Sequence, residues 1–149
     1  MAVLQTAYTD QVAPGFAGMA ANAETSNRIT RTNEDSASLP FGRAVFRGAQ
    51  DHGCTATVGA GFLGISIAHE ALGLLAGATP DAFPQNASVP IMTMGVIWVN
   101  ASVAVAKGDQ AYVTSAGLLT NVSTSNTILT GWVFDTTTAA AGLAKLAKR

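Results

Sequence analysis

The sequence predicts an all-β protein, a small antiparallel β-barrel or sandwich with an extended N-terminal arm. Three observations lead there. Between Ser88 and Phe134 apolar and small polar residues alternate in short runs. In the first run Met92, Met94, Val96 and Trp98 point one way, with Ile91, Thr93, Ile97 and Val99 on the other. Successive strand side chains face opposite sides, so a run apolar on both belongs in a sheet buried on both faces. The second observation is the turn chemistry at the breaks: Lys107-Gly108-Asp109, Ser115-Ala116-Gly117 and Ser123-Thr124-Ser125-Asn126. Glycine supplies positive φ, and Asn, Asp and Ser bond their own backbone nearby. Strand, short turn and strand at this spacing predict an antiparallel meander. Third, residues 1 to 38 show no sustained period of either kind.

That leading stretch carries Pro14-Gly15-Phe16-Ala17-Gly18 and then polar NAETSNRITRTNEDSAS. Pro14 fixes its own φ and pushes Ala13 towards an extended conformation. A long structureless segment does not suit the inside of a compact domain, so residues 1–38 are expected to be an arm lying on something else. One short strand is expected around Arg28 to Thr32. From Leu39 the body begins, with strands over Leu39–Gly48, Cys54–Val58 and Phe62–Ala68. His69 to Thr79 is rich in glycine and alanine and compatible with one short helix, which Gly73 and Gly77 weaken by about 1 kcal/mol each. The closing LAKLAKR reads as an edge strand or a frayed helix. Lys145 and Lys148 suit an edge, where charge discourages unwanted pairing.

Composition narrows the function classes. At 149 residues one domain is expected, able to bury a core without staples. Charged residues are 11% of the chain, against a usual share of about 25%. The 48% hydrophobic share is inflated by 28 alanines. A surface of small neutral residues suits a protein that covers much of itself with neighbours, since an isolated soluble domain carries mixed charge. The net charge of −1 offers no basic patch for nucleic acid. Arg28, Arg31, Arg43 and Arg47 gather loosely, but acidic residues lie among them. Glu34-Asp35 reads as a solvated patch. No signal peptide and no membrane span are expected. The single cysteine, Cys54, has no disulfide partner and is expected to be a buried small hydrophobe.

Chemistry-bearing motifs are sparse. Gly59-Ala60-Gly61-Phe62-Leu63-Gly64 matches G-x-G-x-x-G, the turn that brings a helix N-terminus to a pyrophosphate. A helix must open inside such a motif, yet Phe62 to Ile67 reads as a strand. The glycines are therefore assigned to a bulge or tight strand connection. A small nucleotide-binding enzyme built on Gly59–Gly64 remains the alternative reading. His69-Glu70 lacks the second histidine of H-E-x-x-H, and no catalytic or metal-ligating set emerges. Trp98 and Trp132 sit in strand runs and are assigned to the core.

The chain resembles the capsid decoration, or structural cement, proteins of tailed bacteriophages. Three features in order carry the resemblance. The arm holds Val12-Ala13-Pro14-Gly15-Phe16-Ala17-Gly18 and Ile29-Thr30-Arg31-Thr32-Asn33-Glu34. Leu39-Pro40-Phe41-Gly42-Arg43-Ala44-Val45 opens the body, with Phe62-Leu63-Gly64-Ile65 further on. Lys107-Gly108-Asp109-Gln110-Ala111-Tyr112-Val113, Gly117-Leu118-Leu119-Thr120 and Thr130-Gly131-Trp132-Val133 close it. The resemblance implies a small barrel or sandwich with an arm, sitting as a homotrimer on the outer capsid surface. There the arm would bridge subunits of the major capsid protein. It implies no catalysis and no cofactor, and with the composition above no metal, small-molecule substrate, nucleic acid or membrane partner is expected. Pro14, Gly15, Phe16, Arg28, Arg31 and Phe41 are the expected arm or junction contacts. Another virion or tail-associated β protein remains a further alternative.

Overall fold

The computed structural model describes residues 15–69 and 81–149. Every regular element among them is a strand: β1 (Asn27–Asn33), β2 (Leu39–Pro40), β3 (Ala44–Arg47), β4 (Gly53–Thr55), β5 (Phe62–Ser66), β6 (Ala82–Phe83), β7 (Ser88–Ala101), β8 (Gln110–Val113), β9 (Leu119–Thr120), β10 (Thr127–Phe134) and β11 (Gly142–Lys148). The all-β expectation holds, and so does the strand expected around Arg28 to Thr32. The helix weighed for His69 to Thr79 lies, from residue 70 on, outside the described residues.

The body is built around β7. Its first half pairs antiparallel with β1 from Arg28↔Met92 to Thr32↔Ser88, and with β5 on its other side at Ile65↔Met92. Its second half pairs antiparallel with β11 from Lys148↔Gly95 to Gly142↔Ala101, and touches β9 in parallel at Ala101↔Leu119. Two strand circuits therefore close on this one strand. One runs β7-β5-β3-β4-β1, the other β7-β11-β10-β8-β9. Closure removes the exposed edges that an open sheet would present. A small ladder between β2 and β6 pairs Leu39 with Phe83.

Two cores form, the smaller inside the first circuit and the larger shared by both. Leu39, Phe41, Val45, Cys54, Phe83, Val89 and Ile91 pack together in the first. The larger core joins Phe46, Ile65 and Met92 to Ile97, Val99, Leu129, Trp132, Phe134 and Leu146. Each such side chain contributes about 1.5–3 kcal/mol by leaving water. The expected alternation along β7 is corrected here. Met92 shares a core with Ile97 and Val99, whereas Val96 and Trp98 lie outside that core. The cause is an irregularity opposite Asn27/Arg28, where Asn27 pairs with Met94 but Arg28 with Met92. One extra residue in a strand flips every later side chain to the other face. Trp98 and Trp132 are buried as expected.

Further readings change. The meander is interrupted, because β11 inserts between β7 and β10 instead of following at an edge. Lys145 and Lys148 therefore ride on an interior strand, with the Lys145 ammonium 5.2 Å from the centre of the Trp98 ring. Leu39–Gly48 splits into β2 and β3, and the strand expected over Cys54–Val58 is only Gly53–Thr55. The Glu34-Asp35 pair is not a solvated patch. Glu34 accepts hydrogen bonds from the Ala49 and Gln50 amides at 2.7 and 2.9 Å. Asp35 accepts from the Thr55 hydroxyl at 2.6 Å and the Ala56 amide at 2.7 Å. Both carboxylates thus staple the β3–β4 hairpin to the end of β1, and a Cβ on Gly53 would overlap the Glu34 carboxylate. Charge-assisted bonds of this kind are roughly twice as strong as neutral ones.

Candidate functional site

The segment after residue 14 is fastened to the edge of β7 that faces away from β11. The Gly18 amide donates to the Trp98 carbonyl (2.7 Å), the Trp98 amide to Met19 (2.9 Å) and the Ala21 amide to Val96 (2.9 Å). Ala20 bridges Ile97 in antiparallel fashion. Gly15 lies so close to the indole that a Cβ there would stand 2.6 Å from both Cδ1 and Nε1 of Trp98. The buried Trp98 Nε1 has no hydrogen-bond partner among the described residues. At the head of this segment the Phe16 ring is 49% exposed.

Phe16 overhangs a cleft of about 510 Å³ lined by Gly15, Pro40, Phe41 and Leu143. The structure therefore brings three of the expected contact residues, Gly15, Phe16 and Phe41, to one place. Phe41 itself is 8% exposed and packs on Phe83 with ring centres 4.9 Å apart. Arg28 and Arg31 are elsewhere, on β1. Arg28 is exposed and reaches Ser26, while Arg31 donates to the Thr30 carbonyl at 2.9 Å. Pro14 lies outside the described residues.

Two neighbouring clefts follow along Pro40–Arg43, the second reaching Ser115. A buried serine sets that backbone: the Ser66 hydroxyl donates to the Pro40 carbonyl (2.9 Å) and accepts from the Arg43 amide (3.0 Å). The Arg43 side chain then crosses to the β8–β9 turn and donates to the Ala116 carbonyl at 3.0 Å. Partial burial holds its pKa below the usual arginine value. Gly117, at φ +75, makes room for it, since a Cβ there would stand 2.8 Å from the guanidinium. Sequence reading counts Arg43 only as one of four loosely gathered arginines with acidic residues among them. Leu118, Val122 and Ile128, between 45 and 48% exposed around β9 and the start of β10, also escape it. No linear motif flags an exposed aliphatic residue.

The glycine motif takes the strand form expected of it. Phe62 opens β5, and Val45↔Gly64 is followed by Phe46↔Phe62, a bulge that skips Leu63. Among the described residues no three His, Cys, Asp or Glu side chains form a metal-holding group, and no helix is long and apolar enough to cross a membrane.

Cys54 is fully buried. Burial, reinforced by the Asp35 and Glu34 carboxylates, pushes its thiol up to about 11. The native protein should leave Ellman's reagent unreacted at pH 8 and react fully once unfolded; prompt native labelling would contradict the burial. The raised value also sets a sign. An unfolded thiol ionises near pH 8.5, so this contribution to stability is complete below that pH and is lost as pH rises towards 11.

The family model for "Structural cement protein (E217 gp24/Pam3 gp6)" matches residues 4–148. The chain belongs to this family of phage structural cement proteins. The cement protein is thus a structural component of a phage virion, located on the capsid. A solved structure titled "The capsid of Myoviridae Phage XM1" shares its fold with a TM-score of 0.75 at 18% identity, covering 98% of this chain and 97% of that one. The head fibre gp8.5 N base of bacteriophage phi29 overlaps more loosely, with a TM-score of 0.48, 12% identity and coverage of 84% and 95%. No curated protein sequence matches the cement protein.

Proposed function

We propose that the cement protein clamps adjacent major capsid subunits on the outer face of the shell, as a homotrimer. Residues 1–38 are the arm, tied to the body through its residues 18–21 and β1, and residues 39–149 the body, with Pro14, Gly15, Phe16, Arg28, Arg31 and Phe41 at arm or junction contacts. The family match across residues 4–148, which spans arm and body together, carries this reading. The work is mechanical and needs no reaction, cofactor or small-molecule substrate. An extended arm laid on a neighbour gains main-chain hydrogen bonds with little demand on side-chain identity. A cyclic trimer covers neutral surface that a monomer would leave wet.

The placement of β1 decides how to test the arm. Removing residues 1–35 would take away β1 and its ladder with β7, so lost binding would report unfolding. Deleting residues 1–14 spares every described residue. The truncated protein should melt at the wild-type temperature, remain a trimer by light scattering, and fail to co-sediment with expanded capsids that lack cement protein. Undiminished co-sedimentation would rule out a bridging contact by residues 1–14 and leave the arm's contacts to Gly15, Phe16, Arg28 and Arg31.

A further inference from the structure

We propose that the cleft around Arg43 is a socket for an acidic side chain of the major capsid protein. The proposal rests on the cement reading above and names the chemistry of one contact. Among the described residues Arg43 forms no ion pair. Its single hydrogen bond to Ala116 leaves most of its guanidinium donors unused. A half-buried cation without a counter-charge is an incomplete pair, and a planar fork of donors matches a carboxylate in two-point geometry.

The surroundings are built for that fork. Ser66, itself fully buried, fixes the backbone of Arg43, and Gly117 leaves the space that the guanidinium occupies. The cleft, about 500 Å³, is lined by Ser36, Ser38, Thr57 and Ser115, four hydroxyl-bearing residues. These are the donors that would satisfy the remaining lone pairs of an entering carboxylate. Asp35 also lines the cleft, but Thr55 and Ala56 already hold its two oxygens. The rest of the wall is alanine and proline, with room for a short aliphatic stem.

Binding to cement-free expanded capsids, measured by co-sedimentation across a protein titration, tests the socket. Arg43→Gln should weaken binding by at least about tenfold, since truncating one member of a desolvated charge pair acts strongly. The wild-type affinity should fall between 50 and 300 mM salt and the Arg43→Gln affinity much less. Ala37→Glu, on the exposed rim of the same cleft, should weaken binding by supplying a competing carboxylate without disturbing the fold. It keeps the test decisive should Arg43→Gln melt early. Wild-type binding that persists unchanged in both variants, with the same salt dependence, overturns the socket alone. Absence of wild-type binding would overturn the cement reading and the socket with it.

Discussion

Replacing Gly64 by alanine should lower the melting temperature by about 10 °C, corresponding to roughly 3 kcal/mol. A Cβ at Gly64 would overlap the Met92 carbonyl oxygen and stand 2.9 Å from both the Met92 carbonyl carbon and Ile91 Cγ2. Most of these obstacles are backbone, so no rotamer change relieves them. β5 would have to move away from β7, at the point where Ile65 and Ser66 pair with Met92 and Ile91. Overpacking typically costs about 1–3 kcal/mol, and a backbone obstacle belongs at the upper end. Gly59 gives the comparison. A Cβ there meets nothing within 4 Å, so Gly59→Ala should change stability by no more than about 0.5–1 kcal/mol. Thermal melts of the two variants suffice. Equal damage at both positions would mean that the motif's glycines serve a shared purpose other than strand approach.

Asn33→Asp should cost about 3–5 kcal/mol at pH 7, the loss expected when an uncompensated charge is buried. Asn33 is fully buried at the end of β1. Its amide nitrogen donates towards the carbonyls of Phe83 (3.1 Å), Ala37 (3.3 Å) and Pro84 (3.3 Å), and its oxygen accepts from the Asp35 amide (3.1 Å). Its backbone pairs with Ala87 and Asn86 on the far side. One side chain thus joins β1, the turn that follows it and the loop leading into β7. A carboxylate there would face the same three carbonyls with no proton to offer, and both burial and those oxygens would raise its pKa. The sign follows. The unfolded aspartate ionises near pH 3.9, so the deficit relative to wild type should be small below that pH and should grow as pH rises towards the folded value. Urea midpoints for both proteins from pH 3.5 to 8 measure it. A deficit independent of pH would show that the site is open to water.

Asn33 also shows where sequence reading stops. It sits in a polar run, NRITRTNEDSAS, and nothing local separates it from the exposed asparagines around it. Its burial exists only because β1 lies between β7 and β4. The same holds for Glu34-Asp35, which look solvated until the β3–β4 hairpin is folded over them. LAKLAKR carries the lysines of an edge strand and still ends in the interior, because lysine stems can lie along a sheet with their charges in water. By contrast the strand at Arg28–Thr32, the turns at Gly108 and Gly117 and the burial of Trp98, Trp132 and Cys54 are set by residues near in sequence or by apolarity alone.

The chain by itself determined that it is all β, that its charge is sparse and its surface neutral, and that Gly59–Gly64 joins strands. Period, turn chemistry and composition are local properties, written wherever the residues are. Tertiary structure alone decided which strand is central, which face of β7 is inside beyond its irregularity, and that Phe41 lines one cleft with Phe16 and a neighbouring one with Arg43. Those follow from pairing between residues tens of positions apart, and strand register across such distances is set by the assembled core, not by the neighbours of any one residue.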